Sequence, residues 1–285
     1  MKNPFLLLGC VSIMSACIAV SENLLFSEQQ VVATITDERL VEVSGLEQSY
    51  ANPGYLWVHN DSGHDPIIYL IDQKGAIQME VELKGVKNRD WEDIVTVEEN
   101  GGSWVYIAEI GDNRAVHKTV SLIRFQEPSL SLGEEITVRK EDLDIMRFQY
   151  AEGARDAEAV FFDYRKKEFV LVTKREDKSM VYAFPFQTDN NPVTINSKGT
   201  VPDRNFTAAD MNEAGEILLK HYDAIYYWPT SNQSASDQIL NWNPTKLTYR
   251  PEPQGEAMCW HLQNFFTLSE KNRGRKQEMF FFERK

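Results

Sequence analysis

The sequence has little cysteine, and this limits how the fold can be stabilised. Only three of its 285 residues are cysteine. Cys10 and Cys17 fall in an N-terminal segment that predicts export, so Cys259 has at most Cys17 as a partner in a mature chain. If Cys17 carries lipid, no internal disulfide can form and stability must come from packing. Cys259 lies in an apolar run, which predicts a small core residue rather than a nucleophile.

A basic stripe is also missing. The chain has 30 Lys and Arg against 43 Asp and Glu, which gives a formal net charge of -13. This argues against a nucleic-acid partner and against docking on an anionic lipid surface. An acidic balance fits solubility or the capture of cations. We therefore expect a monomer that takes a small-molecule or glycan ligand and meets a membrane only through a lipid anchor.

Long apolar runs are confined to the N-terminus. Lys2 precedes the run from Phe5 to Ile13, and Met14-Ser15-Ala16-Cys17 follows. This pattern is typical of a secretory signal that is too short to span a bilayer. We predict a lipoprotein-type signal over residues 1–17 with Cys17 as the lipidation site, a tether over 18–30 and one domain over 31–285. The expected location is the outer membrane or cell surface, with a periplasmic or secreted protein as the alternative.

Recurring apolar strands predict the fold. Five units open near Gly45, Glu92, Glu158, Asp210 and Glu256, which are separated by 47, 66, 52 and 46 residues. Four-stranded propeller blades run about 40–50 residues. We therefore predict an all-β fold, a β-propeller of five four-stranded blades, or of six if the long unit hides an extra hairpin pair. The leftover strand Val31 to Ile35 would complete the last blade and close the ring.

The residue pattern within the strands also agrees with a propeller. Val105 to Ala108 and Leu171-Val172 are apolar at consecutive positions. An inner strand packed between neighbouring blades requires apolar residues on both faces, whereas a strand facing water on one side would alternate. No convincing amphipathic helix is present, which argues against an α/β fold.

Several short motifs carry a resemblance to a known family. They are Val43-Ser44-Gly45-Leu46, Leu56 to Gly63, Asp90-Trp91-Glu92-Asp93-Ile94, Gly111-Asp112-Asn113, Asp156-Ala157-Glu158-Ala159 and Gly255-Glu256-Ala257. Together they resemble a family of exported bacterial β-propeller proteins or lipoproteins. The resemblance implies the propeller and export, and it implies no activity. More distantly, the acidic residues are similar in style to the calcium-loaded channel of β-propeller phytases, although no phytase motif matches residue by residue.

In a propeller, the starts of the first strands and the ends of the second strands meet at one mouth of the central channel. The first strands would place there Asp90, Glu92, Asp93, Asp156, Glu158, Asp210 and Glu256. The second strands would add Asn60, Asp61, Glu109, Asp112, Asn113, Lys174, Arg175, Lys220, His221 and Glu270. So many carboxylates cannot all stay ionised and unpaired in a sheltered site. A bound cation, pairing with Lys and Arg, or raised pKa values would each resolve the conflict.

The cation hypothesis names oxygen ligands. Carboxylates, amide oxygens and backbone carbonyls are the ligands that Ca²⁺ and Mg²⁺ favour. We expect the metal ligands to be Asp61, Glu92, Glu109, Asp112 and Glu158. The alternative is that these acids cap strand ends and form salt bridges. No contiguous calcium-loop signature is present.

A hydrolase is the rival function. Two carboxylates can act as acid and base, or as acid and nucleophile, on a glycoside, and the catalytic candidates are Glu158, Asp210 and Glu256. Trp57, Trp91 and Tyr222 could stack on sugars, although such aromatic residues are more often inter-blade core. A metal-assisted phosphate-ester hydrolase would use phosphate binders; the candidate ligand-binding residues are Asn60, Lys174, Arg175, Lys220, His221 and Glu270. The leading prediction is a cell-envelope scaffold that binds a divalent cation.

Overall fold

Five β-sheets surround a common axis in the computed structural model, which describes residues 25–189 and 191–285. The predicted signal over residues 1–17, the lipidation site Cys17 and residues 18–24 of the predicted tether lie outside these described residues. In chain order the strands are β1 (Gln30–Ile35), β2 (Val43–Gln48), β3 (Leu56–Asn60), β4 (Ile67–Ile71), β5 (Ile77–Lys84), β6 (Trp91–Glu99), β7 (Gly102–Glu109), β8 (Val120–Gln126), β9 (Glu135–Arg139), β10 (Asp144–Tyr150), β11 (Ala157–Asp163), β12 (Glu168–Thr173), β13 (Met180–Phe184), β14 (Val193–Ile195), β15 (Ser197–Thr200), β16 (Phe206–Met211), β17 (Ile217–His221), β18 (Ala224–Trp228), β19 (Thr245–Lys246), β20 (Ala257–His261), β21 (Asn264–Leu268) and β22 (Gln277–Phe282).

The prediction of five four-stranded blades is confirmed. From the axis outward the blades are β2-β3-β4-β5, β6-β7-β8-β10, β11-β12-β13-β15, β16-β17-β18-β19 and β20-β21-β22-β1. The innermost strands contact one another in cyclic order, from β2 through β6, β11, β16 and β20 back to β2. The predicted closure is also confirmed, because β1 pairs antiparallel with β22 from Gln30 opposite Phe281 to Ile35 opposite Gln277.

Two strands depart from the simple repeat. The stretch between Glu135 and Tyr150 forms two strands, and the first of them, β9, pairs in parallel with β5 of the first blade. The stretch between Val193 and Thr200 also forms two strands, and the first of them, β14, pairs in parallel with β10 of the second blade. Each extra strand covers an outer edge that would otherwise expose unpaired backbone groups. The long second unit therefore contains an edge cover and no sixth blade.

One short helix, α1 (Ala235–Leu240), precedes the outer strand of the fourth blade. The Ser234 hydroxyl accepts the Asp237 N–H and caps the helix start. Ala235 and Ile239 are buried in the cluster between the third and fourth blades. No helix among the described residues is long and apolar enough to cross a membrane.

The core lies between the blades. Trp57 and Trp91 are fully buried in one apolar cluster at the interface of the first two blades. They cannot stack on a sugar ring, so the alternative assignment of these residues to the inter-blade core is correct. Cys259 is buried between the fifth and first blades, which confirms the prediction of a small core residue.

The described end of the predicted tether is packed, so that part of the prediction is wrong. The Ser27 N–H donates to the Glu283 carbonyl at 2.7 Å, which places residues 25–30 along the last strand. Phe26 is 5% exposed, and its ring centroid lies 5.0 Å from that of Phe265. Because apolar burial outweighs the entropy of a short loose end, Phe26 holds the segment in place.

Phe26→Ala should lower the free energy of unfolding by about 3–5 kcal/mol, because it leaves a cavity among packed aromatic rings. Leu25→Ala is the matched control, since its side chain is 37% exposed and surface substitutions usually change stability by about 0.5 kcal/mol or less. Urea denaturation of the purified protein measures both. Equal, small effects from the two substitutions would show that the N-terminal segment does not stabilise the ring.

Candidate cation site at the channel mouth

A β-bulge at the start of four of the five inner strands sets the first layer of the mouth. The pairing register skips one residue at Ser44, Glu92, Glu158 and Thr207, and Glu256 directly precedes β20. Bulges re-aim a side chain and often occur at functional sites. The positions predicted as equivalent, Gly45 and Asp210, are therefore displaced along their strands by one and three residues from the true repeat.

The ends of the second strands form another layer. In four blades, a residue just after the second strand donates its backbone N–H to a carbonyl near the start of the first strand. The acceptor lies two residues before the bulge residue or, in the fifth blade, two residues before Glu256. Asp61 donates to Glu42 at 2.7 Å, Gly111 to Asp90 at 3.2 Å, Lys174 to Asp156 at 2.9 Å and Glu270 to Gln254 at 3.0 Å. Tyr222 follows the second strand of the fourth blade. The equivalent position in the five blades is thus occupied by five different residues: Asp61, Gly111, Lys174, Tyr222 and Glu270.

Two groups of three carboxylates could hold a metal ion. The first is Asp61, Asp90 and Glu92, and the second is Glu92, Asp156 and Glu158; within each group one oxygen from every residue lies within 4.8 Å of the others. The repeated Asp-x-Glu sequences at Asp90–Glu92 and Asp156–Glu158 supply four of the five carboxylates.

The third blade neutralises its own Asp-x-Glu pair. The Lys174 ammonium contacts Glu158 directly and lies 3.5 Å from Glu256. The Arg175 guanidinium lies 2.6 Å from Asp156. Burial alone would lower the pKa of Lys174, but Glu158 and Glu256 outweigh this effect and raise it. Lys174 therefore stays charged between two carboxylates.

The second blade has no such partner. Gly111 makes the backbone hydrogen bond that Lys174 makes in the third blade, but it has no side chain. A Cβ at Gly111 would lie 2.1 Å from Glu92 Oε1 and 2.6 Å from Asp90 Oδ2, so any other residue at this position would displace these carboxylates. No Lys or Arg among the described residues forms a salt bridge with Asp61, Asp90 or Glu92 under a 4.0 Å limit.

This uncompensated charge shifts the acids toward their neutral forms. Burial raises the pKa of Glu92 well above its ordinary value, and Glu158 and Asp61 raise it further. Burial also raises the pKa of Asp90, and it raises that of Asp61 to about 6. In Glu270, burial and the neighbouring Glu256 raise the pKa to about 8. A bound cation would reverse these shifts in the carboxylates that it contacts.

Asp210, predicted as a catalytic residue, is not a member of either carboxylate group. Its Oδ2 accepts the Trp260 N–H at 2.6 Å from the neighbouring blade. Asp93 acts in the same way, since its Oδ2 accepts the Val160 N–H at 3.0 Å. Burial raises the pKa of Asp210 to about 7. Both acids satisfy backbone donors on the inner edges of the sheets.

Four other predicted residues point away from the two carboxylate groups. Glu109 accepts the Ser121 hydroxyl at 2.8 Å, and Asp112 accepts the His117 N–H at 2.6 Å. The Asn60 amide donates to the Arg39 carbonyl at 2.6 Å, and His221 lies 3.4 Å from Asp203. Each therefore has a structural partner outside the groups.

Lys220, another predicted ligand-binding residue, is fully buried and donates to the Gly255 carbonyl. Burial lowers its pKa, although Glu252 and Glu256 oppose this effect. A Cβ at Gly255 would lie 2.9 Å from the Lys220 ammonium, so the glycine before Glu256 makes room for it. Lys220 thus holds the backbone beside Glu256 in place and, because it is fully buried, cannot contact a ligand.

The structure brings together Asp61, Glu92 and Glu158 of the five predicted metal ligands. It adds Asp90 and Asp156, which were placed at the mouth but not among the ligands. Of the predicted catalytic residues, Glu158 and Glu256 meet through Lys174, and the Tyr222 hydroxyl donates to Glu256. The recurrence of Asp-x-Glu before two inner strands is the sequence signal that points to Asp90 and Asp156.

Comparison with protein-family models gives no match, and comparison with curated protein sequences gives no significant match. Among solved structures, a luciferin-regenerating enzyme is similar with a TM-score of 0.45 and 8% identity, over 86% of this chain and 92% of that chain. The β-propeller domain of Cps50 (Swd1) from Myceliophteria thermophila is similar with a TM-score of 0.43 and 12% identity, over 85% of this chain and 84% of that chain. The β-propeller assignment rests on the strand pairing described above.

The raised pKa values predict that the metal-free protein loses stability between pH 7 and pH 9. Asp210, with a pKa of about 7, and Glu270, with a pKa of about 8, hold protons in the folded state that they release in the unfolded state. The folded state binds more protons over this range, so the free energy of unfolding falls as pH rises. The lowered pKa values of His59, His221 and His261 act at lower pH.

Urea denaturation in EDTA across this range provides the measurement. Glu270→Gln should flatten the decline near pH 8, because the amide does not titrate. A free energy of unfolding that rises from pH 7 to pH 9 would contradict the assignment of protonated acids to the folded mouth.

Proposed function

We propose that this protein is an exported β-propeller that binds a divalent cation at Asp61, Asp90 and Glu92 and acts as a binding or scaffold protein of the cell envelope. One observation carries the proposal. The second and third blades share the Asp-x-Glu pair, yet Lys174 and Arg175 neutralise only the third, whereas Gly111 leaves the second open. A cation at the open pair supplies the charge that the chain does not.

The chemistry of the donors favours a hard ion. All three side chains offer carboxylate oxygens, and two of them, Asp90 and Glu92, lie two residues apart where the inner strand of the second blade begins. Ca²⁺ accepts six to eight oxygen ligands in flexible geometry and uses backbone carbonyls and water beside carboxylates, and Mg²⁺ keeps several waters. The absence of His or Cys from both groups disfavours Zn²⁺. Ca²⁺ is the leading candidate and Mg²⁺ the alternative.

Export and lipid attachment are supported by the sequence of residues 1–17, which lie outside the described residues. The apolar run followed by Met14-Ser15-Ala16-Cys17 supports a lipoprotein at the outer membrane or cell surface. Free calcium is abundant enough outside the cytoplasm to occupy sites of modest affinity, since extracellular calcium modules bind with dissociation constants of about 10⁻⁴–10⁻³ M.

Calcium at about 100 times its Kd should add about 2.7 kcal/mol to the free energy of unfolding, or roughly 5–10 °C to the melting temperature of a domain of this size. EDTA should reverse the shift. Binding should also release protons, because Glu92 and Asp61 must ionise to coordinate the ion. Thermal melts and calorimetry in two buffers measure these effects.

Glu92→Gln should abolish the calcium shift, because it removes the carboxylate that both groups share. Glu98→Gln is the matched control, since Glu98 is exposed at the opposite end of the same strand. A calcium shift that is absent in the wild type, or that persists in Glu92→Gln, would eliminate the proposed site.

A metal-assisted hydrolase is the second candidate function. The observation in its favour is Glu270, which lies beside Glu256 and Asp61 and whose pKa is raised to about 8. A carboxyl that keeps its proton at neutral pH can act as a general acid toward a leaving group. With a cation at Asp61, the substrate would be a phosphate ester or a glycoside.

Aryl phosphates and aryl glycosides, tested with Ca²⁺ and Mg²⁺, address this candidate. Activity should fall above pH 8, and Glu270→Gln should lower kcat about a hundredfold or more. Glu158→Gln, in contact with Lys174, should also lower it. Turnover that is absent, or that keeps its rate and pH profile in Glu270→Gln, would remove the hydrolase from consideration.

A further inference from the structure

A set of exposed basic side chains lies on the same face of the propeller as the acidic mouth. They lie in the loops that follow β7, β12 and β21, the strands whose ends form the second layer of the mouth. We call these residues the basic rim: Arg114, Lys118, Arg175, Lys178, Lys271, Arg273, Arg275 and Lys276, all exposed. The three loops are far apart in sequence, so the linear chain shows no basic stripe. The fold places them on one face because every second strand ends there.

Most of the rim has no acidic partner. Arg175 pairs with Asp156 and Lys271 with Glu38, but the other six rim residues form no salt bridge with any described residue under a 4.0 Å limit. The chain as a whole has 43 acids for 30 Lys and Arg. Free cations gathered on one face of so acidic a protein are available to an external anion.

Arg175 joins the rim to the second carboxylate group, which shares Glu92 with the proposed cation site. Arg175 Nε lies 2.6 Å from Asp156, a member of the second carboxylate group. The same guanidinium donates to Asn113, which precedes Arg114 in the neighbouring loop. In the fifth blade, the basic loop begins directly after Glu270 of the mouth. An anion at the rim would therefore lie next to a cation in the mouth.

The rim is not continuous around the mouth. The first blade contributes the acids Asp61 and Asp65 to its loop, and the fourth blade has only Tyr222 and Asp223 between β17 and β18. The positive charge therefore comes from the second, third and fifth blades. A ligand held by it must be charged and must extend from the mouth toward those blades.

We infer that the ligand of this mouth is a small molecule with at least two anionic groups, phosphate or carboxylate. Resting on the proposed cation site, it places one anionic oxygen on the ion bound by Asp61, Asp90 and Glu92 and another on the guanidinium groups of the rim. A three-carboxylate site leaves coordination positions open for a ligand oxygen. Arginine presents paired donors that match phosphate and carboxylate. A neutral glycan would use neither feature.

Calorimetry tests this inference with fructose 1,6-bisphosphate, glucose 6-phosphate and glucose as probes, in magnesium or calcium chloride and then in EDTA. Tricarballylate, a tricarboxylate, distinguishes a carboxylate ligand from a phosphate ligand. Affinity should rise from glucose to the bisphosphate, should require the metal, and should fall as salt is added because the rim is exposed.

Arg273→Ala combined with Arg275→Ala should weaken binding of the bisphosphate about tenfold or more, with no change in the affinity for the metal alone. Lys74→Ala combined with Lys166→Ala is the matched control, since both lysines are exposed on turns at the opposite face. That control should leave both affinities unchanged.

The cation site and the polyanionic ligand are refuted by different results. A wild-type protein that binds no metal overturns the cation site itself. A protein that binds metal, but binds glucose as well as the bisphosphate or binds the bisphosphate equally in the rim variant, overturns only the inference of a polyanionic ligand.

Discussion

Negative charge held away from water along the propeller axis is the constraint on which the rest of the structure depends. An ionised carboxylate in a sheltered site is costly unless donors or a cation surround it. The protein meets this requirement in two ways. Backbone N–H groups serve Asp93 and Asp210, and Lys174 serves Glu158 and Glu256. Asp90 and Glu92 receive neither a backbone N–H donor nor a basic side chain.

The inner edges of the sheets explain why acids occur in the channel at all. Each innermost strand has one side without a neighbouring strand in its own sheet, and its N–H groups there need acceptors. Asp93 takes a donor from the third blade and Asp210 takes one from the fifth. These carboxylates link neighbouring blades. An acidic residue in the channel is therefore evidence for a ligand only after its backbone donors have been counted.

The fold could be predicted from the sequence because apolar strands and turns recur at regular spacing. The closing strand followed from the same count, since Val31 to Ile35 had no partner elsewhere. The edge covers β9 and β14 could not be predicted, because their parallel pairing with the preceding blade depends on tertiary position rather than on local pattern. Spacing also cannot detect a bulge, which adds one residue without a change in hydrophobic pattern.

Because residue spacing does not reveal bulges, it also misplaces some residues of the candidate site. Counting along the fourth blade aligns Asp210 with Glu158, whereas the bulge places Thr207 at the equivalent position. Glu109 and Asp112 follow the correct strand, but they flank Ile110 and Gly111 and turn toward Ser121 and the backbone of their own loop. Which oxygens of a cluster lie within one ion's reach depends on side-chain positions that periodicity does not determine.

The backbone arrangement at the mouth repeats from blade to blade, but the side chains there differ. The position that donates to the strand opening of each blade is occupied by Asp61, Gly111, Lys174 and Glu270 in four blades, and Tyr222 follows the corresponding strand in the fifth. An ion on the axis would need similar ligands from every blade. The open carboxylates instead come from the first two blades, and Lys174 already fills the side next to them. An ion bound by Asp61, Asp90 and Glu92, as proposed above, would therefore lie on the side of the first two blades.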